Sequence, residues 1–277
     1  MPASKLEDLT RCAVHTMTHK SWTLEQCCNN YAAAGIGGVS VWRNVIEPIG
    51  VAAAAKIVRA SGLKVPALVR GGFFPGVDAA TRAAAVDDNK RCIEEAAALG
   101  AEMVVLVAGA VPGMPLGEAR MQVAEGLAQV LPEAEAAGVK LAIEPLHPMY
   151  AADRSCINRL SEARMLCEHL ESKMLGVAVD VYHVWWDAEL QWEIDVAAEM
   201  DRLFAFHVCD WRTPTRDMLN DRGLPGDGCI AIRTIRGWVE DAGFRGFNEV
   251  EVFSNEYWAM DPQTYLDKLC QAYRGHV

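Results

Sequence analysis

Four short apolar runs in the second half of this 277-residue chain lead into ionisable side chains. Leu141-Ala142-Ile143 runs into Glu144, and Gly176-Val177-Ala178-Val179 into Asp180. Phe204-Ala205-Phe206 runs into His207, and Asn248-Glu249-Val250-Glu251-Val252-Phe253 carries two carboxylates of the same parity. Carboxylates in buried positions are costly unless paired or bound to a cation. If the four ends converge, three carboxylates beside one imidazole call for a divalent cation. An oxygen-rich set with one imidazole suits Mn²⁺ foremost, with Mg²⁺ or Co²⁺ as alternatives, over a structural zinc. Each residue taken singly reads equally well as a satisfied polar group at a strand end. Four in consecutive runs favour the shared site.

Other side chains offer weaker signals. His147 follows Glu144 by three residues in Glu144-Pro145-Leu146-His147-Pro148. Two prolines stiffen that segment, which suits a general base and equally a histidine bonded into a rigid loop. Arg70 precedes Gly71-Gly72, which permit close backbone approach, so it could meet a sugar hydroxyl, an anion or a rim carboxylate. Tyr182, Trp185, Trp186 and Trp211 could line a sugar pocket, although loop packing or subunit contacts suit them better. His15 and His19 flank the end of the first apolar run and read as structural or rim residues, and His276 near the terminus as uninformative.

The elements that must position these groups repeat one pattern. A helical segment ends in Gly and a short β-type run follows at once. It occurs at Gly35 before Val39–Val41, Gly62 before Val65–Val69, Gly100 before Met103–Val107, Gly138 before Leu141–Ile143 and Gly243 before Val250–Val252. The interval from 138 to 243 has room for three βα units of ~30 residues or more, and holds two further runs, Leu175–Val181 and Leu203–Val208. With Cys12–Met17 the strand count reaches eight. Continuous apolar runs suit parallel strands covered on both faces. Ala-rich 51–60, 79–85 and 96–98 suit helices, as does the apolar spacing of Leu160, Ala163, Cys167 and Leu170. Eight alternating units over residues 1–277 predict one α/β domain, a (β/α)8 TIM barrel with its site at the C-terminal strand ends. A doubly wound open sheet is the runner-up, and no glycine-rich nucleotide fingerprint supports it.

Composition narrows the function further. Hydrophobic residues make up 51% and charged residues 23%, which is ordinary for a globular chain. Lys and Arg number 26 against 37 Asp and Glu, a net charge of −11 that argues against nucleic-acid binding. The apolar runs are too short to span a bilayer, and residues 1–8 lack the apolar core of a signal peptide. Nine cysteines without any Cys-x-x-Cys pair read as reduced core thiols. The expectation is a cytoplasmic protein with neither membrane nor nucleic-acid partners.

The motifs Ile143-Glu144-Pro145, Asp180-x-x-His183, His207-x-x-Asp210-x-Arg212 and Pro225-Gly226-x-Gly228 resemble the sugar phosphate isomerase/epimerase family. This is the xylose-isomerase-like barrel family, which includes ketose 3-epimerases, inosose dehydratase and endonuclease IV. The resemblance spans nearly the whole chain. It implies Glu144, Asp180, His207 and Glu251 as metal ligands, with Glu249 one layer deeper beside a buried donor. It implies Glu144 and Glu251 as proton carriers and His183 as a substrate ligand. Arg212 would also bind substrate oxygens, with Arg216 competing for that role. The implied reaction is isomerisation or epimerisation of a keto or aldo sugar, or a related polyol, through an enediolate. A second reading is a lyase on 3-oxo-glycosides resembling C-glycoside deglycosidases, with His147 as base and a small β-rich subunit as partner. A third is a non-catalytic sugar-binding barrel. The expected partner is a small carbohydrate, with a homo-oligomer as a further possibility. No glycine-rich phosphate cradle stands out, and Asp227 within Gly226-Asp227-Gly228 would repel phosphate.

Overall fold

The computed structural model describes residues 2–277. Seven parallel strands follow in order: β1 (Cys12–His15), β2 (Gly38–Trp42), β3 (Ala67–Gly72), β4 (Met103–Val107), β5 (Lys140–Glu144), β6 (Leu175–Asp180) and β7 (Leu203–Val208). A two-stranded antiparallel ribbon comes next, β8 (Asp210–Trp211) and β9 (Arg222–Gly223). The last strand, β10 (Asn248–Val250), pairs with both β7 and β1 and closes an eight-stranded barrel. The expected TIM barrel is therefore the observed fold, as one domain.

Side-chain alternation explains how one sheet serves two cores. Val14, Val39, Leu68, Val104, Ile143, Val179 and Val208 face outward and pack under the helices. The inward set is smaller: Ala67, Val69, Met103, Val105, Ala142, Ala178 and Ala205. Ala142, Ala178 and Ala205 each precede an ionisable residue of the same parity, namely Glu144, Asp180 and His207. Small residues in the lower layer thus leave the upper layer to polar groups at the C-terminal end.

Helices begin and end where the local chemistry directs. Side chains of Thr23, Asp78 and Asp261 accept backbone N–H bonds in the first helical turn. The helices Val51–Ser61, Ala79–Leu99 and Leu116–Ala137 stop at Gly62, Gly100 and Gly138. Several expected strands differ in extent, among them the third, which is Ala67–Gly72 in place of the expected Val65–Val69. The first ends at His15, because Thr16–His19 forms a 3₁₀ turn. The last stops at Val250, so Glu251 lies just past the regular ladder. The Ala-rich stretches 79–85 and 96–98 belong to one helix of 21 residues. No helix among the described residues is long and apolar enough to cross a membrane.

Candidate active site

Glu144, Asp180 and His207 end or nearly end β5, β6 and β7, and Glu251 follows β10. One ligating atom from each lies within 4.8 Å of every other. All four residues are at most 5% exposed, so their charges are largely withdrawn from water. His207 Nδ1 meets Glu144 Oε1 at 2.9 Å. Its Nε2 has no hydrogen-bond partner among the described residues and lies 3.8 Å from Glu249 Oε2. Burial disfavours a charged His207, but Glu249 and Glu144 outweigh it and lift the ring to about 10. Burial also pushes Asp180 up, to about 7, against the pull of Arg222.

Glu249 stands one layer below Glu251. Ser40 Oγ donates to its Oε2 at 2.5 Å, and His15 Nε2 lies 3.3 Å away. His15 bridges the layers, because its Nδ1 meets Glu251 Oε1 at 2.9 Å. His15 is wholly buried at the heart of the barrel, not on its rim. Burial raises the Glu251 carboxyl, yet His15 and Arg222 together hold it well below the ordinary range.

Local folding accounts for the motif spacing. Asp180 Oδ1 accepts the Tyr182 N–H at 2.8 Å and starts the single helical turn Val181–Val184. That turn carries His183 back over the barrel, with Nε2 3.6 Å from Asp180 Oδ2. The backbone N–H of His147 donates to His183 Nδ1 at 3.1 Å, which fixes the ring. Burial, reinforced by Arg222, keeps His183 neutral. Asp210 accepts N–H bonds from Trp211, Gly226 and Ile230 at 2.9–3.0 Å. It folds the long segment after β7 and is not a member of the ligand cluster. Gly228 is required there, since a Cβ would lie 2.1 Å from the Trp211 carbonyl oxygen.

That segment delivers Arg222. Its Nη1 lies 3.0 Å from Asp180 Oδ2 and 2.8 Å from Glu251 Oε2, and its Nη2 stands 3.0 Å from His183 Nε2. The guanidinium rests on the Tyr182 and Phe253 rings, 4.4 and 5.2 Å from their centroids. Four carboxylates are buried here, Glu144, Asp180, Glu249 and Glu251, and among the described residues Arg222 is the only arginine that pairs with any of them, contacting Asp180 and Glu251. The donor set of three carboxylates and an imidazole therefore fits a divalent cation.

A cavity of about 230 Å³ opens above the cluster. Glu144, Glu251, His183 and Arg222 form part of its wall, with Met17, Trp42, Val69, Arg70 and Val107 on the side of β1 to β4. Leu146, Tyr150, Arg154, Leu219 and Phe253 complete it. Gly72 fixes the course of the backbone after Arg70, since a Cβ there would fall 1.8 Å from the Val107 carbonyl oxygen.

Three candidates stand apart from that wall. His147 uses Nδ1 to accept the Met149 N–H at 3.2 Å, and its ring packs against Trp211 and Trp186. Trp186 donates through Nε1 to the His183 carbonyl at 2.8 Å, bracing the turn from outside. Arg212 pairs with Asp227 and Glu256 at 3.1 and 2.8 Å, pinning the loop over the Tyr257 ring. Arg216 pairs with Asp221 and Glu256 on the same outer surface.

Sequence reasoning read His15 as a structural or rim residue and passed over Arg222 and Arg154. His15 carried a usable signal: it ends the first strand, and the strand-end rule applied to β5–β7 reaches it too. Arg222 and Arg154 sit in irregular segments, where spacing predicts no direction.

The chain belongs to the xylose isomerase-like TIM barrel family, whose model matches residues 28–273. Among solved structures it is similar to protein SMc04130 from Sinorhizobium meliloti 1021, at 46% identity and a TM-score of 0.94, covering 97% of this chain and 99% of that one. It also resembles the IolI protein with a bound zinc atom, at 18% identity and a TM-score of 0.82, covering 95% and 96%. The structure of L-ribulose 3-epimerase matches at 21% identity and a TM-score of 0.78, covering 96% and 93%. No curated protein sequence matches the chain.

Proposed function

We propose that this chain is a divalent-metal-dependent enzyme that isomerises or epimerises a keto or aldo sugar or a related polyol. The convergence of Glu144, Asp180, His207 and Glu251 in one buried cluster below a cavity carries the reading. These four residues would hold the cation, Mn²⁺ foremost. When bound, a divalent cation supplies Lewis-acid polarisation of adjacent carbonyl and hydroxyl oxygens. Glu144 ends β5 and Glu251 follows β10, strands that are not neighbours in the barrel. One carboxylate takes the proton beside the carbonyl and the other returns it. Return to the opposite face gives an epimer, and return to the neighbouring carbon gives an isomer. His183, neutral and fixed by the His147 N–H, positions the substrate oxygens. Arg222 favours the charged forms of Asp180 and Glu251. The zinc in the IolI structure and the epimerase activity named for a structural neighbour support this reading.

Two measurements test it. Elemental mass spectrometry on untagged protein is expected to find about one equivalent of Mn or a similar ion, lost in Glu251→Ala. A ketose incubated with the loaded protein in D₂O is expected to gain deuterium at the carbon beside its carbonyl. Glu144→Gln is expected to lower that exchange by about 10²–10⁴-fold. Metal-free protein that gains no thermal stability from Mn²⁺, and that catalyses no exchange, would overturn the proposal.

A further inference from the structure

Two arginines line the cavity without an ion pair to any carboxylate among the described residues. Arg70 lies within β3, two residues before its end, and Arg154 lies just beyond the turn Pro148–Tyr150. Other arginines of this face are committed: Arg222 to Asp180 and Glu251, Arg212 to Asp227 and Glu256, Arg216 to Asp221 and Glu256. Arg70 and Arg154 instead lie against aromatic faces. The Arg70 guanidinium is 4.5 Å from the Phe73 centroid and 5.8 Å from that of Trp42. Arg154 is 5.5 Å from the Tyr150 centroid. Stacking holds a guanidinium flat and leaves its in-plane N–H donors unclaimed. Burial disfavours the charged form of Arg70, Arg154 adds to this as a like charge, and Glu144 and Glu251 act in the opposite sense from a distance. Two half-buried cations that repel each other in one cavity are poorly matched to a neutral occupant.

We infer that the substrate is an acidic sugar, whose carboxylate or phosphate oxygens are gripped by Arg70 and Arg154 beside the Glu144–Asp180–His207–Glu251 cluster. This rests on the sugar reading above and adds the charge of the molecule. Guanidinium forks match oxyanions in bidentate geometry, and such charge-assisted bonds exceed those to a neutral hydroxyl. The cavity lies below the roughly 300–1,000 Å³ of drug-sized sites, which suits one small metabolite.

Three ligands of one skeleton test the inference: D-fructose, D-fructuronate and D-fructose 6-phosphate, titrated calorimetrically into Mn²⁺-loaded protein. At least one anion is expected to bind about tenfold or more tightly than D-fructose. Which anion leads assigns the oxyanion as carboxylate or phosphate. Arg70→Gln and Arg154→Gln are each expected to reduce that preference with metal content and Tm unchanged. Added salt is expected to weaken the anions and leave D-fructose untouched. Arg154→Lys, in an open turn, is the control for a misfolded Arg70 variant and is expected to retain an intermediate preference. Equal binding of all three ligands, binding of none, or a preference that survives the double Gln variant overturns the inference. Metal-loaded protein without selectivity sinks this inference alone. Metal-free protein that still selects the anion through both arginines sinks only the isomerase reading.

Discussion

At the residue scale, Arg222 decides the charge balance of the site. It sits between Asp180 and Glu251, at 3.0 and 2.8 Å, with almost no exposed surface. Removing one member of a buried ion pair leaves the others uncompensated. Arg222→Met is therefore expected to destabilise metal-free protein by about 3–5 kcal/mol in urea unfolding. Added Mn²⁺ is expected to recover part of the loss, because it replaces the missing positive charge. An unchanged urea midpoint in the metal-free variant would show that Arg222 is not the counter-charge. The candidate ligands were legible from sequence because regular strands fix side-chain direction by parity: Glu144 over Ala142, Asp180 over Ala178, His207 over Ala205. Arg222 was not, because its direction depends on thirteen residues of intervening chain from Cys209 to Asp221 that contain no regular period beyond the two of β8.

At the element scale, the segment between β7 and the helix Ile232–Asp241 behaves as a folded arm rather than a slack loop. Asp210 ties its near end to Gly226 and Ile230, and the β8–β9 pairing lays Arg222 over the barrel mouth. Asp210→Ala removes the acceptor for three N–H groups, two of them from beyond the arm's tip. The expected outcome is faster amide exchange across 211–230 and reduced ketose exchange, with metal content retained, since Asp210 is not in the ligand cluster. Loss of metal in that variant would mean that the arm holds the cluster together. The spacing Asp180-x-x-His183 was readable as a motif, and its cause is the one-turn helix capped by Asp180 itself. The spacing His207-x-x-Asp210 has a different cause, because only its histidine reaches the cluster while the aspartate organises the arm. A motif therefore marks where a segment is constrained without saying which member meets the substrate. His147 illustrates this: its position after Glu144 suggested a base, while its backbone N–H, not its ring, is what reaches His183.

At the scale of the whole molecule, the barrel closes where β1 meets β10, and His19 lies near that seam. Its Nδ1 is 2.9 Å from the Tyr31 hydroxyl, and its ring packs between Trp22 and Tyr265, joining the first helix to the last. Burial lowers His19 from 6.5 to about 3. The folded protein thus favours the neutral ring, so this contribution to stability is complete above 6.5 and is lost as pH falls toward 3. Between pH 6 and 5, stability is expected to fall about 1.4 kcal/mol per pH unit more steeply than in His19→Gln, read from urea midpoints. Equal slopes would show that His19 is already charged in the folded state. Eight apolar runs, five of them preceded by a glycine stop, made the architecture legible, because the period of a βα unit is set by backbone geometry. The partition inside the barrel was less so. The candidate cage comes from β5, β6, β7 and β10, whereas Met17, Trp42, Val69 and Arg70 face it from the β1–β3 side. That division has an evolutionary consequence. Under the proposed function, substitutions along the β1–β3 side would retune which molecule fits the cavity while leaving the candidate cage on the other side untouched.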